Sequence, residues 1–233
     1  MRIAAVIPAA GRGKRLGTKK AKPFVMIHGR PILIHTLKNL KLSHPFYETI
    51  LVAAPARVKE TENLLKRFRL TGVRVVAGGR SRAESVRKGV FCVSEDSGWV
   101  LIHDVARPFA DKRLIRQVVR KAMQTGAAVC ALPARDTVKR VNLRKKIVCA
   151  AEDRRTLYLV QTPQVFKKEL LLERYRSLGR RALKLTDESS LFDGTKVAVK
   201  VVPGQARNIK ITTPEDVRLA EFYLGGNAAG FKA

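Results

Sequence analysis

The chain has 233 residues and is 45% hydrophobic, enough to bury a sizeable core and a natural size for one α/β domain with a small appendage. Its apolar runs, of which 3–10 and 127–132 are typical, fall far short of the ~20 residues that span a bilayer, and the N-terminus lacks signal-peptide and transit-peptide patterns, so a cytoplasmic protein without a membrane span is expected. Lysine and arginine number 47 against 19 aspartate and glutamate, a formal net charge of +28, but these cations are spread along the chain with no zinc finger, RNP motif or other nucleic-acid module, so no specific nucleic-acid partner is expected.

Strand-like apolar runs occur in chain order at 3–8, 49–54, 73–77, 99–103 and 127–132, with segments of helical period between most of them. That alternation predicts an α/β fold with a largely parallel sheet covered on both faces. Ser81 followed by Glu84 reads as a capping box, and Thr213-Pro214-Glu215-Asp216 as an N-cap, a first-turn proline and early acidic residues. From 111 to 125 the residues Leu114, Ile115, Val118, Val119 and Ala122 form one apolar stripe, read as core. The pattern changes after Arg135: residues 137–141 and 146–150 alternate like strands around a polar turn, which predicts a projecting β-arm spanning 135–154. A two-stranded ribbon is marginal alone, so the arm is expected to dimerise the protein. The rest of 1–233 is read as a single domain into which the arm is inserted.

Cys92, Cys130 and Cys149 sit in apolar stretches and are read as buried free thiols; among the histidines, only His103 has a notable neighbour, Asp104.

The first strand runs into Pro8-Ala9-Ala10-Gly11-Arg12-Gly13-Lys14-Arg15-Leu16-Gly17, a small-residue, basic loop where an open α/β sheet binds ligands. Small residues let backbone N–H groups approach phosphate oxygens, and Arg15 and Lys22 add positive charge. The loop matches neither the Walker pattern nor the dinucleotide fingerprint, since its third glycine is Gly17. Taken singly, Arg15 and Lys22 read as solvated charge, Asp104 as a turn cap and Thr186 as an N-cap.

Together with Lys22-Pro23-Phe24, the loop resembles the signature of nucleotidyltransferases that activate sugars and polyols. The segments 78–86, 103–108, 135–137, 161–164, 186–188 and 208–210 narrow this: their order and spacing over 3–224 are similar to the 2-C-methyl-D-erythritol 4-phosphate cytidylyltransferases of the non-mevalonate isoprenoid pathway. The resemblance implies a Rossmann-like nucleotidyltransferase domain with a mostly parallel mixed sheet, flanking helices and a projecting β-arm. It implies transfer of CMP from CTP to the polyol phosphate with release of pyrophosphate, by attack of the substrate phosphate on the CTP α-phosphorus. Carried over, it places Ala9, Ala10, Gly11, Gly79, Ser85 and Asp104 at the nucleotide, with Asp104 also holding Mg²⁺ or another divalent cation. Arg15, Lys22 and Lys210 take the catalytic positions, and Arg107, Thr137, Arg154 and Thr186 hold the polyol phosphate, with Thr137 and Arg154 coming from a partner's arm in a homodimer. The chain departs from the family at Pro23, where glutamine is usual, at Ala21, where proline is common, and at Arg80, where an acidic or polar residue often faces the base. A ribitol 5-phosphate cytidylyltransferase is the alternative within the fold; a basic nucleic-acid-binding protein on a silent α/β scaffold is the alternative from another class.

Overall fold

The computed structural model describes residues 1–11, 13, 16, 17 and 21–225. Its centre is a seven-stranded sheet built from β1 (Ile3–Ala9), β4 (Glu48–Ala53), β5 (Val73–Ala77), β6 (Trp99–Ile102), β7 (Ala127–Pro133), β10 (Tyr158–Lys167) and β11 (Lys200–Pro203), in the spatial order β11-β7-β10-β6-β1-β4-β5. Short strands β2 (Met26–Ile27) and β3 (Arg30–Pro31) pair separately, as do β8 (Lys139–Asn142) and β9 (Ile147–Ala151). All seven residues of β1 are buried, as an apolar run covered on both faces requires. On one face, Leu33, Leu37 and Leu40 of α1 (Ile32–Ser43), Leu65 of α2 (Val58–Arg67) and the predicted stripe of α4 (Lys112–Thr125) pack against Ile3, Ala5 and Ile7. On the other, Val86 and Val90 of α3 (Arg82–Phe91) and Leu171 and Tyr175 of α5 (Lys168–Leu178) cover Val6, Val52 and Val100.

The five strands expected from the apolar runs are present at nearly the expected bounds, and the sheet is parallel except where β10 pairs antiparallel with both β6 and β7. Neither β10 nor β11 was expected. Proline removes a ladder donor and argues against a central strand, yet β10 carries Pro163 where its pairing with β7 shifts, between Gln161 and Gln164. Two thiols depart from the expectation of burial. Cys130 is buried in β7, but Cys92 caps the end of α3 and Cys149 lies on the arm, and both are exposed.

Helix starts follow the local chemistry. Asp111 accepts from Leu114 N at the start of α4, and Thr213 with Asp216 forms a complete capping box on α6 (Pro214–Leu224). The Ser81 box is only half formed. Its hydroxyl accepts from Glu84 N, but the Glu84 carboxylate reaches past Ser81 to Arg80 N at 2.8 Å.

The arm β8–β9 stands off the main sheet with both strands exposed throughout, including Val141, Ile147 and Val148. The Arg154 guanidinium donates to Arg135 O at 2.8 Å and ties the arm's base together.

Candidate active site

The sheet order decides where the site lies. From β1 the chain builds outward through β4 to β5, then returns to place β6 on the other side of β1. The crevice at this reversal, beyond the carboxyl ends of β1 and β6, is where open α/β sheets bind ligands. Here it holds a cavity of about 1040 Å³, lined by Ala10, Gly11 and Gly13 after β1, by Gly78 to Arg82 before and at the start of α3, by Asp104 to Ala106 after β6, and by Lys22 and Lys210.

Among the residues expected at the nucleotide, Ala10, Gly11, Gly79, Ser85 and Asp104 line this cavity, and Ala9 ends β1 beside it. Ser85 is fully buried. Its hydroxyl accepts from Gly79 N at 3.0 Å and donates to Ser81 O at 2.8 Å, so it braces the 78–81 loop. Lys22 opens a short 3-10 turn with Pro23. Gly13 makes that approach possible: its φ is +69°, and a Cβ there would lie 2.8 Å from Lys22 Cβ. Leu16 is buried with Val25, Ile27 and Ile211, so the loop is pinned to the segment that carries Lys210. Arg15 lies outside the described residues.

Asp104 is the electrostatic centre. Lys210 Nζ donates to its Oδ2 at 2.6 Å and Arg82 Nε to its Oδ1 at 2.8 Å. Burial opposes ionisation of Asp104, but these two cations outweigh it and hold the carboxyl well below the usual carboxylate range. The same Arg82 forks onto buried Glu188, with both nitrogen–oxygen distances 3.0 Å, and donates to Thr186 O at 3.4 Å. Burial pushes the Glu188 carboxyl up while Arg82 pulls it back.

Behind Asp104, fully buried His103 donates from Nε2 to Arg107 O at 2.8 Å and accepts from Thr162 Oγ1 at Nδ1, 3.1 Å. Thr162 Oγ1 in turn accepts from Asp104 N at 3.0 Å. Burial lowers His103 to about 4, so the imidazole is neutral at physiological pH and fixed in this tautomer.

Lys210 is delivered from the far edge of the sheet. Asn208 is fully buried and donates to Gln161 Oε1 and Thr162 O on β10, while Ile211 N donates to Ala106 O. Arg107 Nη1 donates to Asn208 O at 2.7 Å, and its buried Nε has no hydrogen-bond partner among the described residues. Thr186 is an exposed residue beside Arg82, while Thr137 and Arg154 lie at the exposed base of the arm and do not line the cavity of their own chain.

Sequence reasoning missed Arg82 and Glu188 as site members, although both stand inside segments singled out above. Their partners are 22 and 106 positions away, and such separations leave no local trace.

A glycine loop, a buried carboxylate and lysines from two distant segments, converging at the switch point of an open α/β sheet, define a nucleotidyltransferase. The family model for IspD, 2-C-methyl-D-erythritol 4-phosphate cytidylyltransferase, matches residues 3–226. The chain belongs to this family. It is 40% identical over 226 residues to the 2-C-methyl-D-erythritol 4-phosphate cytidylyltransferase of Syntrophus aciditrophicus, covering 96% of each chain. It is also 40% identical over 240 residues to that of Solibacter usitatus, covering 98% of each. Among solved structures, the 4-diphosphocytidyl-2C-methyl-D-erythritol synthase of Anaerococcus prevotii superposes with a TM-score of 0.83 at 33% identity, over 96% of both chains.

Proposed function

We propose that the chain transfers CMP from CTP to 2-C-methyl-D-erythritol 4-phosphate, giving 4-diphosphocytidyl-2-C-methyl-D-erythritol and pyrophosphate. The observation that carries this is the meeting of the β1 loop, Lys22, Asp104 and Lys210 around one cavity in a chain of this family. The relatives' names leave the ribitol phosphate reading without support, and no observation favours a silent nucleic-acid-binding scaffold.

A phosphate monoester dianion is already nucleophilic, so no histidine or cysteine nucleophile is needed. Its oxygen attacks the α-phosphorus of CTP, the new P–O bond forms, and the bond to the β-phosphate breaks in line with it. Catalysis then rests on positioning and on charge neutralisation. Ala9, Ala10, Gly11, Gly79 and Ser85 shape the nucleotide side. Lys22, with Arg15, neutralises charge that develops on the α- and β-phosphates, where a preorganised cation is worth most. Lys210 orients the attacking phosphate, with Arg107 and Thr186 on the same side and Thr137 and Arg154 reaching in from a second copy.

The donor set suits a Mg²⁺ ion that arrives with its nucleotide. Among the described residues no three His, Cys, Asp or Glu side chains could hold a metal, so Asp104 is the residue that would hold the ion. Bound there, the ion would supply neutralisation of the nucleotide's charge.

Among the described residues no helix is long and apolar enough to cross a membrane, and a cytoplasmic site of action fits an enzyme that consumes CTP. We read 1–233 as one domain with 135–154 as a dimerising arm. Incubating the purified protein with Mg²⁺, each of the four nucleoside triphosphates and either polyol phosphate, and measuring pyrophosphate release, tests the reading. Release confined to CTP with methylerythritol phosphate is expected; equal release with ribitol phosphate would overturn the acceptor assignment.

A further inference from the structure

We infer that Arg82 is the positioning residue that couples the two halves of the site, holding the Asp104 carboxylate on the nucleotide side and, through Glu188, the 185–188 segment on the polyol side. Arg82 is the first residue of α3, a helix seated hard on the sheet. Its Nε–H goes to Asp104, Nη1 to Glu188 and to Thr186 O, and Nη2 to Glu188 again. Only a planar fork makes these bonds together, so lysine, with one compact ammonium, cannot replace it. The two carboxylates are nearly buried, with side chains 9% and 3% exposed, and Arg82 and Lys210 balance their charge.

Besides Arg82, the segment is held by local bonds to Asp187, whose Oδ1 accepts from Ser189 N at 2.8 Å and Ser190 N at 3.3 Å, and by Leu185 packed against the core, whereas across the site it has few ties. Residues 185–188 form neither helix nor strand, and Glu188 N donates to Gln164 Oε1 at 3.3 Å, a long bond. Thr186 stands where Arg82 binds its carbonyl. A side chain with no reacting atom of its own therefore sets the distance between the group expected to face the nucleotide's phosphates and the one expected to face the acceptor's.

The inference rests on Thr186 lying on the acceptor side, and the experiment separates the two. Steady-state kinetics with CTP and methylerythritol phosphate are measured for Glu188→Gln, Arg82→Lys and Thr186→Ala, alongside thermal melting and CTP binding without acceptor. Glu188→Gln keeps the Asp104 contact and loosens only the 185–188 segment. It should raise KM for the polyol phosphate on the order of tenfold, the equivalent of one weakened charged hydrogen-bond pair, with CTP affinity within about twofold. Arg82→Lys loosens both halves and should lower kcat by roughly 10²-fold while also raising the acceptor KM. Thr186→Ala tests the side assignment alone: an unchanged acceptor KM there, with a raised one in Glu188→Gln, moves the contact to a neighbouring residue and leaves the coupling intact. A Glu188→Gln enzyme that melts lower but keeps both KM values, or one that weakens CTP and acceptor equally, would overturn the inference and leave Arg82 a structural ion pair.

Discussion

At the scale of single residues, the site depends on groups whose protonation is set by burial and by partners. Asp104 is ionised because Arg82 and Lys210 face it, so Asp104→Asn keeps the shape and removes the charge that both cations answer. Activity should fall by about 10²-fold or more with the fold retained by circular dichroism, as loss of one preorganised charge contact does. An unfolded variant, or one with an unaltered Mg²⁺ dependence, would reduce Asp104 to a turn cap. His103 behaves oppositely. Its folded-state value of about 4 lies below the ordinary histidine value of 6.5, so between these limits the unfolded chain binds a proton that the folded chain refuses. Its contribution to stability is therefore full above pH 6.5 and is lost as pH falls toward 4, by roughly 3 kcal/mol at about 1.4 kcal/mol per unit. The depressed Asp104 carboxyl acts only below that window. Urea denaturation at stepped pH should show a flatter profile for His103→Gln than for the parent between pH 6.5 and 4; parallel profiles would refute the buried neutral imidazole.

At the scale of elements, α3 carries Arg82 at its start, and Gly89 lets the helix seat closely on the sheet. A Cβ at Gly89 would lie 2.6 Å from Val6 Cγ1 and 2.7 Å from Val52 Cγ2, side chains of two buried strands. Helix propensity favours alanine there by about 1 kcal/mol, whereas forcing a methyl into a packed interface costs about 1–3 kcal/mol, so the clash should win. Gly89→Ala should lower the melting temperature and, by lifting α3 with its 78–82 loop, raise KM for CTP. A higher melting temperature would show that the interface yields. Much of this element level was legible beforehand: the α4 stripe Leu114, Ile115, Val118, Val119 and Ala122 is buried as its spacing predicts, and Thr213 caps α6. The Glu84 side chain was not, because whether it caps Ser81 N or Arg80 N depends on how the preceding loop turns.

At the scale of the whole molecule, the proposed dimer turns on the arm. On the arm Leu143 is 87% exposed, and Ile147 and Val148 are exposed with it, while Tyr158 and Leu159 at the start of β10 extend this apolar surface beside the arm's base. A symmetric pair of arms would cover it and would bring Thr137 and Arg154 toward a neighbouring cavity. Lys22→Ala and Arg154→Ala subunits, each nearly inactive alone, should therefore complement when unfolded together and refolded as an equal mixture. Half the dimers are mixed, and each of these has one site with both lesions and one with none, so about a quarter of all sites should regain activity. A mixture as inactive as its parents despite subunit exchange would mean that each site is built from one chain.

What the sequence determined by itself was whatever a local pattern encodes: the buried parallel strands from their apolar runs, the α4 face from its period, the arm from its alternation around the polar turn at 142–145, and the glycine loop from its composition. These depend on residues within one or two turns of each other. The ordered motifs added the family. Only the tertiary structure decided that β10 enters the sheet antiparallel despite Pro163, because its pairing with β6 and β7 is made across long loops that no propensity reports. It alone decided that Arg82, Asp104, Glu188 and Lys210 meet, since a network of charges joined over more than a hundred residues exists only once the fold has brought the start of α3, the end of β6 and the segments after α5 and β11 together.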